Sequence, residues 1–317
     1  MEISRTIAAD ILRACDKAQF VVIISHRNPD ADSIGSNLAL RILLEAMGKT
    51  VVSACVDPIP KELYFLPNAP SFQTSFDLTC TDLIICVDAG SIAQTGFLER
   101  QPEILQSNKP IINIDHHPSN NGYGQINLVI PDGASTTLVL YHLFRITGVQ
   151  ITPPIATCLL SGLYYDTGSF VHSNTCTEVY QAASELCAAG ADQRKIVQKM
   201  YKNRPLEQLK TWGKILDNMK LTDNRVVVSG ITNEELKSCC ATTADASGVI
   251  DYLSTVKDAE FATLLIEDGK RQYPRLIPDP QKRNKPQGNG RNVGGGGHKK
   301  ASGLPSPANS EKRLSGK

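Results

Sequence analysis

A chain of 317 residues with 41% hydrophobic and 21% charged side chains is an ordinary globular composition and suits two domains better than one. Its net charge of +1 excludes a whole-chain attraction to nucleic acid or anionic membrane, so any anion must be bound by a local site. Nine cysteines with no CxxC spacing, most in apolar runs such as those around Cys86 and Cys158, argue against a disulfide framework or a zinc ribbon and predict free thiols in a reducing, cytoplasmic compartment. No apolar run approaches the ~20 residues of a membrane span, and the N-terminal stretch, with Glu2, Arg5 and Asp10 and no long apolar core, does not read as a signal peptide.

In chain order, residues 3–18 have the spacing of an amphipathic helix, with Ile3, Ile7, Ile11 and Leu12 on one side. Phe20–Ile24 is a continuous, β-branched apolar run and reads as a buried parallel strand. It ends at Ser25-His26, followed by Arg27-Asn28-Pro29-Asp30-Ala31-Asp32. A helix over 34–47, stopped by Gly48, and a strand over 50–55 follow. The stretch 57–75 is rich in proline and polar residues and predicts loop with a short helix. Leu83–Val87 is again apolar and ends at Asp88, and Ile111–Ile114 runs without a spacer into Asp115, His116 and His117. Residues 133–147, 154–163 and 177–189 read as helices, the first opening near Ser135 or Thr136, where a helix cap is a better reading than a phosphate ligand. Asp166 stands in a turn after the second.

Alternating strands and helices predict an α/β domain: a parallel sheet with helices on both faces. Ligand-binding residues then gather at the carboxyl ends of the strands. One acidic or imidazole side chain at a strand end is unremarkable, and Asp115-His116-His117 alone would pass for a solvated turn. Three apolar runs ending in His26, Asp88 and Asp115, with Asp30, Asp32 and Asp166 in adjoining turns, form a pattern. Four carboxylates and two imidazoles in one cleft repel and desolvate one another unless divalent cations hold them. The pool His26, Asp30, Asp32, Asp88, His116 and Asp166 suits two cations with one carboxylate bridging. Oxygen and nitrogen donors without thiolate point to Mn²⁺, Mg²⁺, Co²⁺ or Zn²⁺. Two such ions ~3.5–4 Å apart activate water for in-line attack on phosphorus. His142 and His172 fit no part of this pattern, and Asp57, Asp77 and Asp82 read as surface.

The second half is less regular. Residues 192–219 read as a charged helical connector, 225–231 and 261–266 as strands, and 243–256 as helical, giving a smaller α/β unit. The run Gly294–Gly297 with His298, Lys299 and Lys300 lets backbone N–H groups approach an anion. It has neither P-loop nor dinucleotide-fingerprint spacing. Between the last strand and this run, 270–293 carries Lys, Arg and, within 274–286, four prolines. That content predicts no central strand. It reads as a basic loop that helps hold RNA, or as sequence outside the chain's ancestral reading frame.

The motifs HRNPDADSIGS (26–36), VDAG (87–90), DHHP (115–118) and YYDTGSF (164–170), in that order, resemble those of the DHH phosphoesterase superfamily. GGGGHKKASG (294–303) resembles the signature of its associated C-terminal domain. The resemblance covers the first ~190 residues and implies a catalytic domain over 1–190, a connector over 191–222, a substrate-binding domain over 223–317, and an active site in the cleft between the domains. It implies that His26, Asp30 and Asp88 hold one metal and that Asp32, Asp88, His116 and Asp166 hold a second, Asp88 bridging. His117 would donate a hydrogen bond to the scissile phosphate, and Asp115 would orient a metal-bound histidine. Gly295, Gly296, Gly297, His298 and Lys299 would hold substrate. A two-domain chain of this length looks most like the nanoRNase/pAp-phosphatase branch. That implies two Mn²⁺ ions, with Mg²⁺ or Co²⁺ as substitutes, and hydrolysis of very short RNA and of 3′-phosphoadenosine 5′-phosphate (pAp). Cyclic- or linear-dinucleotide phosphodiesterase is the alternative reading. Inorganic pyrophosphatase and a non-catalytic nucleotide- or RNA-binding regulator stand further back. No membrane partner is implied. Oligomeric state stays open, a homodimer among the options. An Arg-bearing strand before the glycine run, usual in this superfamily, has only Arg271 and Arg275 as candidates here.

Overall fold

The computed structural model describes residues 2–202, 204–268, 271–278, 296–298 and 301–303. The chain divides into two compact units, Met1–Asn203 and Arg204–Lys317. The charged stretch 191–222 is shared between them, since its two helices each bury their apolar residues in a different core.

In the first unit the chain runs α1 (Arg5–Lys17), β1 (Phe20–Ile24), α2 (Ala31–Ala46), β2 (Thr50–Ala54), β3 (Leu83–Val87), α3 (Phe97–Arg100), β4 (Ile111–Asp115), β5 (Ile126–Val129), α4 (Thr136–Thr147), α5 (Pro153–Asp166), α6 (Thr177–Ala188) and α7 (Gln193–Tyr201). The five strands are all parallel, in the order β2-β1-β3-β4-β5. β3 and β4 are buried along their whole length, which explains their lack of polar alternation.

Successive strand residues go to opposite faces. Val21, Ile23, Leu83, Ile85, Val87, Ile112 and Ile114 join the core under α1, α2, α4, α5 and α6. Val22, Ile24, Ile84, Cys86 and Ile111 pack on Phe76, Phe97 and Ile104. Both faces are thus covered, but unequally: the long helices lie on one, and the single turn α3 with irregular chain and 3-10 turns covers the other. A one-residue slip of β3 would exchange the two sets and strand Asp88 on the wrong side.

Two helices extend further than their apolar pattern predicts, and both extensions matter to the site. α2 begins at Ala31, because the Asp30 side chain accepts from Asp32 N and Ser33 N and caps it. Asp32 therefore lies in the first turn of a helix instead of a free loop. α5 continues to Asp166, placing that residue on its last turn. β5 escapes sequence reading because its four residues, INLV, are only partly buried. α2 and α5 cross closely at Gly35, where an added Cβ would collide with the Cys158 carbonyl.

The second unit comprises α8 (Leu206–Asp217), β6 (Lys220–Leu221), β7 (Val226–Ile231), α9 (Asn233–Ser238), α10 (Ile250–Leu253), β8 (Phe261–Asp268), β9 (Arg271–Pro278), β10 (Gly296–His298) and β11 (Ala301–Gly303). Its sheet order is β10-β11-β9-β8-β7-β6, and Trp212, Ile215, Val249, Leu253 and Leu264 form its core. β9 corrects the expectation that 270–293 holds no central strand. Pro274 and Pro278 lie in it, opposite Leu265 and Phe261 of β8. On its other side, among the described residues, β9 pairs with β11 at Arg275 and Leu276, so the two prolines flank that pairing instead of interrupting it. Residues 279–295 lie outside the described residues. Among the described residues no helix is long and apolar enough to cross a membrane. All nine cysteines are free, five of them buried.

Candidate metal centre

The chain leaves β1 for β2 on one side and then crosses to β3 on the other. Adjacent strands whose connections diverge leave a crevice at their carboxyl ends. His26 follows β1, Asp88 follows β3, and His116 and His117 follow β4, so three neighbouring strands deliver side chains to one edge. Asp88 adopts a left-handed backbone conformation, φ 56°, and its N–H donates to the Ile114 carbonyl at 3.0 Å. Such a conformation is uncommon outside glycine, asparagine and aspartate and is retained where surrounding structure imposes it.

Asp88 is the hub. Its Oδ2 lies 3.4 Å from His26 Nε2, and its Oδ1 lies 3.5 Å from His116 Nε2 and 3.7 Å from His117 Nδ1. On one side His26 and Asp30 complete a group whose ligand atoms all lie within 4.8 Å of one another. On the other, Asp32, His116 and Asp166 form a second such group, with His116 Nε2 3.2 Å from Asp166 Oδ2. The structure thus brings together all six residues that the sequence pooled. The donors are carboxylate oxygens and imidazole nitrogens, without sulfur, which fits hard or borderline divalent cations.

The electrostatics agree with the geometry. Burial, reinforced by the charges of Asp88 and Asp166, pushes the Asp30 carboxyl up to about 6. Burial and the same two neighbours hold Asp32 well above the usual carboxylate range. Burial would lower His26, but its hydrogen bond to Asp88 and the charges of Asp30 and Asp88 outweigh that and raise it to about 10. His116 is likewise raised by Asp166, Asp88 and Asp32 against its burial. Burial disfavours the Asp88 carboxylate, but the three imidazoles around it override this and hold it well below its usual value. A cation bound here would have to displace the protons that the raised groups hold.

The histidine that Asp115 orients is His117. Asp115 Oδ1 lies 2.7 Å from His117 Nδ1. His116 instead sets its Nδ1 3.0 Å from the Gly133 carbonyl. The reason is pleat: Asp115 is the last residue of β4, and residues two apart share a side of an extended chain. Asn120 Nδ2 donates to Asp115 Oδ2 at 2.6 Å, to the Ala89 carbonyl and to Asn113, so the loop after the triplet is tied to the strand before it.

The start of α4 holds Asp32 and Asp88 by hydrogen bonds that the sequence does not announce. Ser135 is the cap of α4, its Oγ accepting from Leu138 N. Thr136 and Thr137 face the site: Thr136 N, Thr137 N and Thr137 Oγ1 all donate to Asp32, and Thr136 Oγ1 donates to Asp88. The only sequence signal was a hydroxyl pair at a predicted helix start, which capping explained equally well. Gly162 of α5 makes room for this arrangement, since a Cβ there would lie 2.5 Å from Asp32 Oδ1. Asp57, read as surface, accepts from Asn28 N at 2.8 Å and braces the loop between His26 and Asp30. His172 sets its Nδ1 3.1 Å from the Asp166 carbonyl. His142 stands 3.0 Å from Glu178 on the helical side, apart from these groups. Of the glycine-run residues, Gly295 and Lys299 lie outside the described residues, and Gly296–His298 form β10, paired with β11. Arg271 and Arg275 lie on β9.

Residues 20–163 match the DHH family, N-terminal domain. The chain is 30% identical over 220 residues to the bifunctional oligoribonuclease and PAP phosphatase NrnA of Thermus thermophilus, an alignment covering 67% of this chain and 62% of that protein. It is 27% identical over 310 residues to the protein of the same name from Mycoplasma genitalium, covering 95% and 92%. Its fold superposes on an exopolyphosphatase-related protein from Bacteroides fragilis with a TM-score of 0.88 and 25% identity, over 96% of this chain and 92% of that one. Residues 20–163 thus form a DHH-family N-terminal domain, and the chain is similar along most of its length to proteins of the oligoribonuclease and PAP phosphatase branch.

Proposed function

We propose that this protein is a metal-dependent phosphoesterase that hydrolyses very short oligoribonucleotides to mononucleotides and removes a phosphate from pAp. The observation that carries the reading is Asp88, one carboxylate with an oxygen turned to each of two ligand groups. The named activities of the two NrnA relatives support the substrate class.

In this reading His26, Asp30 and Asp88 hold one divalent cation, and Asp88, Asp32, His116 and Asp166 hold the other. Mn²⁺ is the proposed metal, with Mg²⁺ or Co²⁺ as substitutes. Bound cations would lower the pKa of a water and neutralise phosphoryl oxygens during in-line attack. The chain's own contribution is position and charge. His117 is raised above its usual pKa: burial opposes this, but the hydrogen bond to Asp115 and the charge of Asp88 prevail. Its ring would donate a hydrogen bond to the phosphoryl group, and Asp115, tied to Asn120, fixes the ring. In the second unit, Gly295, Gly296, Gly297, His298 and Lys299 are proposed to hold an anionic end of the substrate through backbone N–H groups and positive charge. The free cysteines suit a reducing, cytoplasmic setting.

The test is a substrate panel with Mn²⁺: a labelled trinucleotide, a 5-mer RNA, pAp, pApA, cyclic di-AMP and pyrophosphate. Mononucleotide release from the trinucleotide, lost in Asp88→Ala, is expected. Faster turnover of cyclic di-AMP or pyrophosphate would replace the substrate assignment. Trinucleotide binding with no product would make the protein a regulator.

A further inference from the structure

The first turn of α4 touches two carboxylates that belong to different segments: Asp32 accepts from two helix N–H groups that the Ser135 cap leaves over, and the Thr136 hydroxyl reaches Asp88, which no capping requirement explains. Ser135 already caps the helix through Leu138 N. Thr136, fully buried, sends its N–H to Asp32 Oδ2 at 2.6 Å and its hydroxyl to Asp88 Oδ1 at 2.8 Å. Thr137 N and Oγ1 both donate to Asp32 Oδ1, at 2.9 and 2.6 Å.

A carboxylate oxygen offers two lone-pair directions. Two donors fill Asp32 Oδ1. Asp32 Oδ2 accepts one and keeps one, and it is the oxygen 3.9 Å from His116 Nε2. The helix therefore decides that Asp32 can give a cation only one oxygen, and decides which. Asp88 Oδ1, the oxygen facing His116, accepts the Thr136 hydroxyl, whereas Oδ2 faces His26. Thr136 thus acts on one side of the bridging carboxylate.

We propose that Thr136 is a positioning residue of the metal centre, its backbone N–H and hydroxyl tying Asp32 and Asp88 into the geometry of the His116-side cation position. The inference rests on the reading of Asp32 and Asp88 as ligands. Supporting hydrogen bonds of this kind are worth roughly 10–100-fold in metal affinity. Thr136→Val keeps the shape and the backbone donor and removes only the hydroxyl; Thr136→Ser keeps the hydroxyl.

The experiment is a Mn²⁺ titration of the metal-free full-length protein, with free Mn²⁺ read by electron paramagnetic resonance and the thermal melt of each metal-free variant as a control. Wild type and Thr136→Ser are expected to bind two ions. Thr136→Val is expected to bind the first ion like wild type and the second roughly 10–100-fold more weakly, with an unchanged melt. If Thr136→Val does not fold, Thr136→Ala reads the same quantity. Two wild-type affinities in Thr136→Val, or an equal loss of both, would overturn the proposal. A wild-type protein that binds fewer than two ions would overturn the ligand reading itself, and the proposal with it, so the two failures are distinguishable.

Discussion

The two sides of the candidate metal centre are built differently. On the His26 side the side chains are 18% and 29% exposed for His26 and Asp30, and both have local duties. Asp30 caps α2, and His26 sets its Nδ1 beside the Arg27 carbonyl. On the His116 side, Asp32 is 0% and His116 5% exposed, and the partners come from distant segments: Asp32 is held by residues more than 100 positions away. A group held by its own loop moves with that loop, whereas a group held across the fold moves only if helices separate. The buried side is therefore the fixed member of the pair, and the open side is the one that meets solvent.

That contrast can be broken most directly by removing one aspartate from each side. Asp32→Ala strands three buried donors, at a cost of about 1–3 kcal/mol for each one left unsatisfied. It is expected to lower the melting temperature of the metal-free protein well beyond Asp30→Ala, which loses a helix cap at about 0.5–2 kcal/mol. Equal losses in calorimetry would remove the distinction. Protons supply the next largest effect. Asp30, up to about 6, and His26, up to about 10, must both release a proton to bind a cation, so Mn²⁺ affinity should rise as pH rises through 5–7 and continue to rise above it. The expected slope is about tenfold per pH unit for each proton displaced. Titration in two buffers of different ionisation enthalpy counts those protons, and a flat profile between pH 6 and 9 would contradict the arrangement.

Smaller changes sharpen the comparison. Gly162→Ala puts a methyl 2.5 Å from Asp32 Oδ1, so α5 must shift at a cost of about 1–3 kcal/mol. The His116-side affinity should weaken while the His26-side affinity holds, and a Mn²⁺ titration shows which. Asn120→Ala removes the donor behind Asp115, and the expected effect is roughly a tenfold fall in kcat with little change in KM. A change confined to KM would move His117 from chemistry to binding.

Much of this was legible along the chain. The apolar runs at 20–24, 83–87 and 111–114 match β1, β3 and β4 almost residue for residue, because strands buried on both faces need uninterrupted apolar sequence. The second unit was read less well. The prolines of 274–286 argue against a strand, and β9 accommodates two of them beside the pairs that it makes with β11 at Arg275 and Leu276. α9 was missed because its cue, Thr232 with Glu235 as a capping box, governs only six residues.

The sequence by itself determined which side chains would meet at the candidate metal centre, since His26, Asp88, His116 and His117 stand where an apolar strand runs out, and Asp30, Asp32 and Asp166 stand at the ends of the helices α2 and α5. Only the tertiary structure decided what each of them touches. Asp115 supports His117 and not His116. Asp32 is turned by Thr136 and Thr137 so that one oxygen remains. Asp88 divides its two oxygens between the sides. The contacts of Asp32 and Asp88 with the start of α4 join residues dozens to more than a hundred positions apart, and no local periodicity encodes them. They come from packing α4 and α5 against α2 over the ends of the strands.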